Sequence, residues 1–88
     1  MTNVEKLKKM FEHETIVSGN KMRHNLDGVD ASAFHNLTVF VEGEYLVFAN
    51  WGKKHPIGEQ FIKEIIDGQE VVLLLRDEDG QFELLLRL

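Results

Sequence analysis

The stretch whose reading decides the fold is Glu70–Leu88, EVVLLLRDEDGQFELLLRL. Two apolar runs flank Asp77-Glu78-Asp79-Gly80. An Asp-Gly pair between such runs marks a hairpin, because both residues tolerate the positive φ of a tight turn. Strand residues alternate between the two faces of a sheet. In the second arm Phe82, Leu84, Leu86 and Leu88 share one face, and Gln81, Glu83, Leu85 and Arg87 the other. In the first arm Val71, Leu73 and Leu75 oppose Val72, Leu74 and Arg76. A sheet with one wet face alternates more cleanly than this. The spacing predicts a sheet that is apolar on both faces. The face carrying Val72, Leu74 and Leu85 is then either roofed by the chain itself or given to a partner.

Working back from that hairpin, Gly68 reads as the stop of a helix over Pro56–Asp67, with Pro56 at its first position. Ile57, Phe61, Ile62, Ile65 and Ile66 form its stripe. A second hairpin is expected over Leu37–Trp51, turning at Gly43-Glu44 and again partly apolar on both faces. Ser18–Asn36 contains Gly19, Asn20, Asn25, Gly28 and Asn36, all turn formers, and reads as a long loop. In that reading Asp30 caps a short helical turn, and Leu26, Val29 and Phe34 help to roof the core. At the N-terminus Thr2 and Glu5 form a capping box. They open a helix over Asn3–His13 with Val4, Leu7, Met10 and Phe11 on one stripe. Thr15, Ile16 and Val17 read as a short edge strand. The expected fold is α+β, in the order α-β-β-α-β-β: an antiparallel four- to five-stranded sheet with two helices packed on one face.

With 88 residues the chain reads as a single domain, residues 1–88. Its hydrophobic content of 43% suits a globule rather than a disordered chain. The absence of cysteine removes disulfides and thiol chemistry and favours a cytoplasmic compartment. No segment has the length and apolarity of a membrane span, and the opening Met without an apolar leader reads as an unprocessed soluble chain. The net charge is −5. Residues 1–55 balance seven Lys/Arg against seven Asp/Glu, whereas residues 56–88 hold three against eight. An acidic chain is a poor general binder of nucleic acid, because counterion release needs a basic face.

No catalytic motif stands out, and no cofactor is implied. His13, His24, His35 and His55 lack any metal-ligand spacing; His24, Asp27, Asp30 and His35 would need loop geometry to meet. Ser18 and Ser32 have His24 and His35 nearby in sequence, a combination that any small protein offers by chance. Asp77–Gly80 resembles a fragment of a calcium loop without its later ligands. The best anion site is Trp51-Gly52-Lys53-Lys54-His55, which places two lysines, a histidine and a stacking plane ahead of the expected second helix. Lys21 and Arg23 are candidates to join it.

These observations favour a small acidic protein-interaction or regulatory module without catalytic activity. It would act through the apolar sheet face of Val72, Leu74 and Leu85, with a protein partner or a homodimer as the counterpart. An anion- or nucleic-acid-binding domain using Trp51, Lys53, Lys54 and His55 is the alternative. A further alternative is an acidic inhibitor that occupies the basic groove of a nucleic-acid enzyme.

Overall fold

Seven strands and one helix make up the chain, which the computed structural model describes from Met1 to Leu88. The helix, α1, spans Asn3–Met10. Its capping box is formed: Thr2 Oγ1 accepts from the Glu5 N–H and Glu5 Oε1 from the Thr2 N–H, both at 3.1 Å. The Thr2 N–H foremost, with the Thr2 hydroxyl donating to the same Oε1 at 3.0 Å, holds the Glu5 carboxyl below its ordinary range. Leu7 and Phe11 are buried, with Val4 and Met10 half-buried beside them. The helix ends three residues short of His13. There the Phe11 carbonyl accepts from the Val41 N–H (2.8 Å) and ties the helix end to the sheet.

The strands are β1 Thr15–Asn25, β2 Gly28–Glu42, β3 Tyr45–Phe48, β4 Lys53–Pro56, β5 Ile62–Ile66, β6 Glu70–Asp77 and β7 Gly80–Arg87. They form one antiparallel sheet in the order β4-β3-β2-β1-β7-β6-β5, curled into a half-barrel. This corrects the expected fold, which had four or five strands and two helices. The hairpins at Gly43-Glu44 and Glu78-Asp79 lie where the sequence places them. The second helix and the long loop do not exist.

Ser18–Asn36 is a bent β-ribbon rather than a loop. Its turn is Leu26-Asp27, closed by Asn25 opposite Gly28. Asn25 Oδ1 accepts from the Asp27 N–H (3.1 Å), and Asn25 Nδ2 donates to Asp30 (2.8 Å), so Asp30 braces a turn and caps no helix. Leu26 and Val29 are exposed at the ribbon tip and roof nothing. The bend sits where Ser18 on β1 faces both His35 and Asn36 on β2, a bulge with Asn36 at φ 58°.

Pro56–Asp67 contains no α-helix. Pro56 ends β4 opposite Tyr45, Glu59–Phe61 is one 3₁₀ turn, and Ile62–Ile66 is β5. Asp67 (φ 51°) and Gly68 (φ 67°) form the hairpin turn into β6, with the Gln69 N–H donating to the Ile66 carbonyl (3.0 Å). Two consecutive residues at positive φ are the mark of a primed hairpin turn, and an Asp-Gly pair supplies them readily.

One contiguous core fills the concave side. Leu7 and Phe11 meet Val17, Leu37, Val39, Leu46, Phe48, Ile62, Val71, Leu73, Leu75, Leu84 and Leu86. The helix thus plugs the half-barrel near the β2–β3 turn, where Lys8 also pairs with Glu44 (2.9 Å).

Candidate functional site

The sheet order makes the chain a meander around the half-barrel, broken at a single seam. Six antiparallel steps lead from β4 round to β5, so these two edge strands run in the same direction. Only Ile57–Phe61 joins them. Lys53–Ile66 therefore behaves as one descending run that leaves β3 and takes up pairing with β6. β5 covers β6 only from Glu70 to Leu73. Beyond that, Leu74–Asp77 has no strand on its outer edge, and β4 has none on its own.

A cleft of about 420 Å³ lies at this open part of the seam. Phe48, Leu75, Phe82 and Trp51 supply its apolar lining, and Lys21, Lys53, Lys54, His55 and Arg76 line it as well. Trp51 is 42% exposed, stacked on Phe48 (5.6 Å between centroids) and met edge-on by Phe34 (5.2 Å). The ring is held in place while much of it stays open to a ligand. His55 donates from Nδ1 to the Pro56 carbonyl (2.9 Å) and meets the Phe61 ring edge-on (4.6 Å).

Asp77 anchors the cleft's far wall. It accepts from Arg23 Nη2 at 2.5 Å and lies 3.5 Å from Lys21 Nζ. The Arg23 bond is the main reason its carboxyl sits below the ordinary range, helped by the Asp79 N–H at 2.9 Å. Lys21 and Arg23 also lie over the Phe82 ring, at 4.5 and 5.3 Å. The calcium-loop resemblance of this segment thus dissolves into a hairpin turn whose first carboxylate is already spent.

Ion pairing elsewhere sharpens the contrast. Lys8, Lys21, Arg23, Lys63 and Arg87 all have carboxylate partners. Lys6 and Lys9 on α1 have none, nor do Lys53, Lys54 and Arg76, and these last three all line the cleft, although the chain as a whole carries −5. In an acidic protein, unpaired cations gathered on an apolar opening make a local anion-attracting field.

The structure places Trp51, Lys53, Lys54 and His55, the residues singled out from sequence, around one cleft together with Lys21, also a sequence candidate. Arg23 stands behind them on Asp77. The expected reason does not hold: no helix begins at Pro56, so no helical N–H groups face the site. Phe48, Leu75, Phe82 and Arg76 escape the sequence reading, because only the curl of the sheet carries β6 and β7 round to β4. His24, Asp27, Asp30 and His35 do not converge, and no three His, Asp or Glu side chains form a metal-holding group.

Val72, Leu74 and Leu85 lie together on the convex face, uncovered by any other element. Val72 is nevertheless only 8% exposed and lies outside the main core cluster. The ion pair of Lys63 on β5 with Glu83 on β7 bridges across β6 beside it, and Glu64 and Leu85 flank Val72 in register. Lys63 foremost lowers the Glu83 carboxyl, with His24 contributing at 3.7 Å, and Glu83 in turn raises the Lys63 ammonium.

No helix is long and apolar enough to cross a membrane. No family model, curated protein or solved structure matches the chain.

Proposed function

We propose that the protein is a binding module whose seam cleft takes an anionic ligand with an apolar or aromatic body. The observation that carries this reading is the gathering of Lys53, Lys54 and Arg76, all without carboxylate partners, around the aromatic floor of Phe48, Trp51 and Phe82. Apolar walls with a few convergent charges are the general form of a ligand site, and about 420 Å³ falls within the usual size range. The net charge of −5 opposes long nucleic-acid polymers, so the reading favours a short ligand. Over the convex face the cleft has one advantage: its cations have no carboxylate partners, whereas the cation nearest the convex strip, Lys63, is already paired with Glu83. The cysteine-free composition keeps a cytoplasmic setting within this reading.

The test uses 1-anilinonaphthalene-8-sulfonate, a planar aromatic anion, with Trp51 as the single tryptophan reporter. Saturable binding that quenches Trp51, weakens with salt and drops about tenfold or more in Lys53→Glu with Lys54→Glu is expected, equivalent to about 1.4 kcal/mol. Dye binding that ignores the charge reversals, or leaves Trp51 unchanged, overturns the reading.

A further inference from the structure

The seam cleft has a shape that a compact ligand leaves unused. Its two long sides are strand edges of equal length, Lys53–Pro56 on β4 and Leu74–Asp77 on β6. Neither has a strand on the side that faces the cleft. Alternate residues of such an edge aim N–H and C=O groups outward, which makes it a template for another strand. Just below, β5 already occupies the same edge of β6, so the curl of the sheet accepts a strand in that lane.

The side chains along the lane sort by face. Phe48, Lys53 and His55 share the inner register across β3 and β4, and Leu75 and Phe82 share it across β6 and β7. On the outer register, Lys54 projects from β4 above Tyr45, and Arg76 projects from β6. A strand laid between them would turn alternate residues inward to the aromatic floor. Its remaining residues would point outward between Lys54 and Arg76, cations that no carboxylate of this chain engages.

Resting on the cleft reading above, we propose that the ligand is an extended peptide segment of another protein that adds as a strand to the open edge of β6 at Leu74–Asp77. Apolar or aromatic residues alternate in it with Asp or Glu. Main-chain hydrogen bonds supply affinity in this mode, and alternate pockets supply selectivity. The match of one acidic face to two flanking cations distinguishes this occupant from a purely apolar strand.

The experiment takes the unmodified protein and a blocked hexapeptide alternating glutamate with phenylalanine. It is set beside the same peptide N-methylated at its four central amides, the naphthalene sulfonate dye and a thymidine tetranucleotide. The expected result is saturable peptide binding read by Trp51, at least tenfold weaker after N-methylation, with slowed hydrogen exchange at amides within Leu74–Asp77. Equal binding of the two peptides overturns strand addition, and so does tighter binding of the tetranucleotide. Dye binding without peptide binding overturns this inference and leaves the cleft reading standing. Failure of both dye and peptide removes the two together.

Discussion

Gly19 is the most constrained small residue in the sheet, and Gly19→Ala tests the curl directly. A Cβ placed there would lie 1.8 Å from the Leu85 carbonyl oxygen, 2.9 Å from its carbon and 2.9 Å from Phe34 Cζ. Carbon and oxygen normally approach no closer than about 3.3 Å, so β1 and β7 would have to part by roughly 1.5 Å. The obstacle is backbone, and no rotamer change relieves it. Overpacking that side chains can absorb costs about 1–3 kcal/mol. Here the upper end applies, together with one or two weakened bonds of the ladder that pairs Ser18–Met22 with Glu83–Arg87, at about 1 kcal/mol each. The expected loss is about 4–5 kcal/mol, a large share of the 5–15 kcal/mol typical of folded domains. It corresponds to a Tm lower by about 20–30 °C in a domain of this size. Gly58→Ala is the matched control. Its Cβ would meet Gln60 Oε1 at 2.6 Å, the far end of a side chain free to swing away, so less than about 1 kcal/mol is expected. Urea titration and thermal melts of both variants decide the matter. A Gly19→Ala loss no larger than that of Gly58→Ala would refute the close approach of β1 to β7 at Gly19.

Other outcomes follow from the same geometry. Lys63→Ala removes the bridge across β6 beside Val72, and the bared strip of Val72, Leu74 and Leu85 should raise the light-scattering mass above that of the wild type at equal concentration; identical masses would show that the ion pair shields nothing. Asp77 and Glu83 both have carboxyls held below their unfolded values, so between those two ranges the unfolded chain binds more protons than the folded one. Their contribution is therefore complete above the ordinary carboxylate range and is lost as pH falls through the folded values. Urea midpoints should decline below about pH 4, and Asp77→Asn should flatten that decline. Leu26→Ser at the ribbon tip should change stability by less than about 0.5 kcal/mol in the same titration, whereas a loss near 2 kcal/mol would mean that Leu26 covers apolar surface after all.

What sequence alone reveals here depends on how far apart the cooperating residues stand. The capping box of Thr2 and Glu5 and the hairpin turn before Gly80 involve residues within a few positions, and both were legible. The turn formers misled because they do two jobs. Asn25 and Gly28 flank a real turn, while Gly19 and Asn36 bend strands that continue past them. Ile62 and Ile65 misled for a different reason. The bulge between Ile62 and Glu64 puts both on the core side, so a strand displays the i, i+3 spacing of a helix stripe. Asp67-Gly68 then reads equally as a helix stop or a primed turn, and only the available edge of β6 decides. For the cleft, the cluster Trp51–His55 was visible as a concentration of charge beside an aromatic ring. Phe82 and Arg76 were not, because no local pattern announces that β6 and β7 come round to meet β4.

The meander around the half-barrel also governs how the chain reaches this state. Five of its six ladders join strands adjacent in sequence, through turns of two or three residues or the short link at Ala49–Gly52. Such pairings close small loops and form early at little entropic cost. The exception is β1 with β7, which brings Ser18 to Arg87 and so unites the first four strands with the last three. The ladder of β1 with β7 is therefore the one of highest contact order, the pairing whose closure is expected to weigh most on the folding rate, and it lies at Gly19, where a Cβ would meet the Leu85 carbonyl oxygen.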